Sequence, residues 1–374
     1  MRTVEILRAL QKSHAKPKYF SAEYCDFVIR GVAGDQYDSV MEKYKMRQKE
    51  LLTPYEEDHF FSMLEDCFEK LRDIVSKQNI LFHNKKIETM PLPLFGTMND
   101  NTYNARIIPA YDVPLVIFFQ GLIKLTSGIV EIVSEEIYRI KKNVLTKVDE
   151  EKLTKRFIDL LFCFQLYEDA YAAQPMDLSG DADVDRVLLE SEILNTVFLF
   201  LMSHEYAHSL LSHLDSSKTF AATIGNIDVN VFNTEWEQEL EADKLAAEIV
   251  LMGKCVFDTF SIYLSIFIFH ISAIHSDEVS DTHPPLNIRA KSIIDYIHRK
   301  KMKLNHENVD YVLGAKITEY ERFIKYLSER GIEENEACQK FRIYYIRSFH
   351  YLKTTQKLLN ILHKTRRKRH GIYF

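Results

Sequence analysis

VFLFLMSHEYAHSLL, residues 197–211, is the stretch from which the rest of the chain is best read. It contains His204-Glu205-Tyr206-Ala207-His208, an H-E-x-x-H pattern. On a helix, residues four apart lie about 40° from one another around the axis, so both imidazoles can reach a single metal ion. Glu205 sits about 100° further round, beside such an ion, where a carboxylate can take a proton from a metal-activated water. Two histidines and one more carboxylate, with a position left open, is the layout of catalytic zinc. Val197, Leu201, His204, His208 and Leu211 form one helical stripe, apolar except for the two histidines. Val197 to Met202 is continuously apolar, and a helix greasy on most sides belongs in a core. Hydrogen-bonded core histidines would also suit that face; the glutamate and the spacing are what point to a metal.

The chain has 374 residues, which allows a sizeable core and two or three compact units. Hydrophobic residues make up 46% and charged residues 27%, an ordinary globular balance. Only 11 Gly and 9 Pro occur, so helices should dominate. A net charge of −6 gives no general affinity for nucleic acid. Cys25, Cys67, Cys163, Cys255 and Cys338 are odd in number and contain no C-x-x-C pair. That favours a reducing compartment, here the cytoplasm, over a disulfide framework. The N-terminal segment lacks a signal-peptide apolar stretch. The longest apolar run, Phe260 to Ile274, is broken by Ser261, Ser265, His270 and Ser272 and reads as a buried helix. It is shorter than the ~20 residues of a membrane span, so no transmembrane segment is expected.

The expected fold is mainly α (α+β), a core with a small β-sheet flanked by helical N- and C-terminal regions. Residues 1–78 read as helical. Residues 79–300 form the central domain, and residues 301–374 a helical region with a basic tail. NILFH, LPLFGT and TYNARII are short β-prone pieces separated by Lys-Lys, Pro and Asn-Asp signals. PLVIFF, residues 114–119, is the best strand candidate. Helices are expected over 122–141, 150–173, 185–214, 235–252, 259–275 and 284–301, with two more from about 306 and 334. Residues 218–233, rich in Thr, Gly and Asn, read as a loop or insertion after the motif helix.

A third ligand is needed. A histidine six residues beyond His208 would fit one solution, but position 214 is Leu and position 211 is Leu. A glutamate from a second helix is the other. The stretch EWEQELEAD, residues 235–243, offers several carboxylates. Trp236, Leu240, Ala247 and Val250 mark its buried face, with Asp243 on it. A carboxylate on an apolar stripe needs a partner, because an unpaired buried charge is costly. Glu239, four residues earlier, faces the same region, whereas Glu237 and Glu241 point elsewhere. Glu239 is therefore the expected ligand. Asp243 is the expected outer group that accepts a hydrogen bond from a ligand imidazole. A solvated acidic first turn also suits the helix dipole and accounts for Glu235 and Glu237. Further on, DTHPPLNIR, residues 281–289, reads by itself as a capping loop with a surface arginine.

The order H-E-x-x-H, E-x-E-A-D, T-H-P-P-x-x-x-R resembles gluzincin-type zinc metallopeptidases. It is similar to HtpX and CAAX-prenyl-protease enzymes and to the Lit-type phage-exclusion peptidases. The likeness spans roughly residues 100–300. His213 matches a histidine commonly found five residues after the first motif. The resemblance implies a zincin-like core and a Zn2+ cofactor held by His204, His208 and Glu239. It implies Glu205 as general base, His283 as oxyanion donor, and Arg289 as a residue that braces the site or contacts substrate. Asn104-Ala105 and Gly121-Leu122 resemble the family segment whose strand edge pairs with substrate backbone. The membrane members carry spanning helices that this chain does not show.

The implied activity is hydrolysis of peptide bonds in an intracellular protein, in a defensive or regulatory role. A non-enzymatic regulator on a peptidase-like scaffold is the alternative reading. The basic run over residues 363–370 could meet nucleic acid or an anionic surface, although such runs are more often solvated termini.

Overall fold

The computed structural model describes residues 3–13, 37–39, 41–42, 58–77, 80–82, 85–87, 91–100, 104–108, 110, 112–167, 184–213, 218–224, 227–233, 235–255, 257–273, 284, 286–299, 316 and 318. His283, the basic run 363–370 and the helices expected from 306 and 334 lie outside this set, apart from residues 316 and 318. Among the described residues, the helices α1 (Thr3–Ser13) and α2 (Asp58–Lys77) lie before the strands β1 (Leu81–Phe82), β2 (Lys85–Lys86), β3 (Leu94–Met98), β4 (Ala105–Ile108) and β5 (Leu115–Phe119). Then come α3 (Gln120–Lys141), α4 (Lys147–Tyr167) and the motif helix α5 (Val184–Leu210). The strands β6 (Lys218–Ile224) and β7 (Ile227–Asn233) lead to α6 (Trp236–Met252), α7 (Asp258–Ala273) and α8 (Leu286–Arg299). The protein is mainly helical with a small sheet, as its sparse Gly and Pro and its helical periodicity dictate.

The main sheet has the order β3-β5-β4, with β3 parallel and β4 antiparallel to β5. The central strand is buried on both faces, which explains why LVIFF reads as an unbroken apolar run. Its side chains alternate. Val116 and Phe118 enter the large helical core, whereas Leu115, Ile117 and Phe119 join Leu7 and Leu10 of α1 on the other face. Leu7 and Leu10 are fully buried, worth about 1.5–3 kcal/mol each by area removed from water. Gly96 of β3 permits this approach, since a Cβ there would lie 2.7 Å from the Leu7 methyls. The Thr3 N–H and hydroxyl donate to Asp112, the hydroxyl also contacts the Val113 carbonyl at 2.7 Å, and Gln11 Nε2 donates to the Thr97 carbonyl at 2.5 Å. Thus α1 is fastened at one end to the segment before β5 and at the other to β3.

Helix α5 is the axis of the helical layer. It packs against α2, α3, α6 and α7, and every residue from Thr196 to Leu210 is buried. Only its first turns are open, with Val184, Val187 and Leu188 exposed. Among the described residues α5 is long and apolar enough to cross a membrane, but 61% of that apolar window is covered by the protein itself. The apolar run beginning at Phe260 is the buried helix α7.

Two expectations are corrected. Residues 218–233 are not a loop: β6 and β7 pair antiparallel from Lys218↔Asn233 to Ile224↔Ile227. Lys85–Lys86, expected as a break between strands, is itself the return strand β2, paired with β1. The hairpin of β6 and β7 links the motif helix to α6, and β7 runs beside the edge strand β4.

Candidate metal centre

Two helices bring the motif residues together. His204, Glu205 and His208 lie in the buried C-terminal half of α5. Helix α6, the element most closely packed on α5, presents Glu239. The start of α6 is set by the Glu235 N–H, which donates to Gln238 Oε1 at 2.9 Å, a capping arrangement that fixes the first turn. Glu239 is buried and Asp243, one turn on, is fully buried. Trp236 does not mark the inner face as expected: it is 38% exposed, and Leu240 is only half-buried. At the first turn of α6 the inward stripe has just begun, and it runs instead through Glu239, Ala242, Asp243, Ala246, Ile249 and Val250.

The ligand-type atoms converge. His204 Nε2 and His208 Nε2 are 3.3 Å apart. Glu239 Oε2 is 3.3 Å from His204 Nε2, and Glu239 Oε1 is 3.4 Å from His208 Nε2. One atom from each of the three residues falls within 4.8 Å of the others, so the buried group could hold a metal ion. The fit can be tested against geometry. A tetrahedral ion with bonds of ~2.0–2.1 Å has ligand atoms ~3.3–3.4 Å apart along each edge. The His204–His208 separation matches such an edge, and each histidine nitrogen meets a different Glu239 oxygen at a similar distance.

Each imidazole is also contacted from behind. His204 Nδ1 lies 3.0 Å from Asp243 Oδ1, a close approach whose N–H direction is off the line of contact. Asp243 in turn receives two hydrogen bonds from Arg289 of α8, from Nε at 2.7 Å and from Nη2 at 2.6 Å. Arg289 is buried, and its guanidinium lies 4.9 Å from the centre of the Phe269 ring, so it is not the surface residue its loop position suggested. On the other side, His208 Nδ1 lies 3.1 Å from His213 Nδ1. His213 Nε2 lies 3.3 Å from Glu241 Oε2. On a continued helix His213 would point about 140° away from His208. The chain instead leaves α5 through Ser212 at φ 54°, a left-handed turn that swings His213 back. Glu241, expected to point elsewhere, therefore reaches the rim of the cluster. Sequence reasoning missed it because its partner depends on that turn.

The surroundings drive the ionisable groups apart. Burial resists charge on both imidazoles. On His204 the Asp243 and Glu239 carboxylates outweigh it and push the group up to about 10. On His208 burial prevails, aided by the neighbouring histidines against the pull of Glu239, and takes it down to about 3. Burial raises the Glu205 carboxyl to about 7, with Glu239 reinforcing and His204 and Arg289 opposing. Burial would raise Asp243 too, but the Arg289 charge and hydrogen bonds hold it at about 2. A buried carboxyl poised near neutrality beside these converging nitrogen and oxygen atoms is suited to proton transfer.

No curated protein and no solved structure matches the chain. Residues 127–309, a span somewhat under half the chain that runs from α3 through α8, match the profile of the family described as Peptidase U49. That match supports a peptidase, and with it a protein substrate.

Proposed function

We propose that this protein is a zinc-dependent endopeptidase. The observation that carries the reading is the convergence of His204, His208 and Glu239, two nitrogens and a carboxylate in one buried cluster. That donor set, from an H-E-x-x-H helix and a second helix, is the choice of catalytic zinc, with room for water or substrate as the remaining ligand. A zinc ion held there would supply Lewis acidity, lowering the pKa of water towards ~7 and polarising the scissile carbonyl. Glu205 takes the proton from the attacking water and delivers it to the leaving amine. His204 and His208 stay neutral as ligands, their ring nitrogens held in place by Asp243 and His213. Arg289 is a positioning residue: it fixes the Asp243 carboxylate rather than touching the reacting atoms. His283 remains the proposed oxyanion donor, on the strength of the motif alone. An extended substrate would add its backbone to a strand edge within residues 104–119.

The test compares cells producing the intact chain with cells producing Glu205→Gln. New protein termini unique to the intact chain would identify the substrate and its cleavage site. The variant should keep its metal and lose about 10²–10⁴-fold in turnover of that substrate. A Glu205→Gln protein that cleaves at the parental rate would overturn the assignment of the base.

A further inference from the structure

We infer that His213 and Glu241 form a directional hydrogen-bond relay that fixes the tautomer and ring orientation of His208. The inference rests on the proposed metal site and adds two positioning residues to it. The direction follows from the atoms. His208 turns Nε2 towards His204 and Glu239, so Nε2 is its ligand atom and must be unprotonated when a metal is bound. The ring proton is then on Nδ1, whose near neighbour is His213 Nδ1 at 3.1 Å. His208 donates, so His213 Nδ1 accepts. The His213 proton is consequently on Nε2, 3.3 Å from Glu241 Oε2, which as a carboxylate only accepts. Each link leaves one arrangement for the next: the Glu241 carboxylate fixes His213, and His213 fixes His208. His213 is buried, while the Glu241 side chain is 45% exposed, so the relay runs from the cluster to the protein surface. Outer groups of this kind orient a ligand ring and raise its basicity.

The test is zinc affinity, measured by competition with a chromophoric chelator. The proteins compared are the full-length parent, His213→Leu, Glu241→Ala and the double variant, with helical content checked by circular dichroism. The parent should bind one zinc ion. His213→Leu should bind it about 10–100-fold more weakly. Glu241→Ala should weaken binding several-fold in the parent and have no further effect in His213→Leu, because Glu241 acts through His213. Should His213→Leu fail to fold, His213→Asn, too short to reach Glu241, serves as the second background with the same expectation. An equal loss from Glu241→Ala in both backgrounds would mean that its charge acts through space, and would overturn the relay. So would parental affinity in Glu241→Ala or His213→Leu. Those results would leave the zinc site standing. A parent that binds no zinc would overturn the site and the relay together.

Discussion

The two imidazoles of the cluster are held from behind in different ways. His204 backs onto Asp243 and Arg289, a carboxylate and guanidinium that are buried and joined by two hydrogen bonds. His208 backs onto His213 and a half-exposed Glu241. The first arm ties together three helices, α5, α6 and α8. The second is local, joining the turn after α5 to the outer side of α6. One arm is therefore part of what holds the fold, whereas the other can be altered with little cost to it.

The largest predicted effect breaks the first arm. Arg289→Met leaves the buried Asp243 without its guanidinium partner and should destabilise the protein by about 3–5 kcal/mol in denaturant melts. Removing both charges, as Asp243→Leu with Arg289→Met, should recover part of that loss. By contrast, Glu241→Ala should change stability by less than about 0.5 kcal/mol, because the half-exposed carboxylate it removes is largely solvated and gains little from its contact. Equal losses from the two arms would refute the distinction.

A smaller effect sharpens the point with a second carboxylate. Asp112 is also held at about 2, but through hydrogen bonds from Thr3, and it is exposed. Its ordinary value is 3.8, so its contribution is present above that pH and is lost as the pH falls towards about 2. Asp112→Asn should lower the thermal midpoint slightly at neutral pH, and the gap from the parent should close as the pH drops from about 4 towards 2. A gap that stays constant over that range would mean that the charge on Asp112 contributes nothing to fastening α1.

What was legible in the sequence follows the same division. Asp243 stands out because a carboxylate on an apolar stripe must find a partner, and the core supplies Arg289. Glu239 follows from Asp243 by helical spacing. The burial of α5 and of β5 is written in unbroken apolar runs. Glu241 was not legible, since it lies among other charges on a half-open face and meets His213 only through the left-handed Ser212. Trp236 misled because hydrophobic character does not fix burial in the first turn of a helix. The β6–β7 hairpin was obscured by its Thr and Asn content. The alternation of Ile227, Val229 and Val231 with Asp228 and Asn230, after the turn-type pair Gly225-Asn226, was the available signal.

The central claim is that two histidines of α5 and one glutamate of α6 grip a single ion. Metal analysis of the purified parent, Glu239→Ala and Glu237→Ala tests it most directly. The account predicts one zinc per chain in the parent and in Glu237→Ala, whose carboxylate is exposed on the first turn of α6, and a chain without zinc in Glu239→Ala. Zinc retained in full by Glu239→Ala, or absent from the parent after loading, would contradict it.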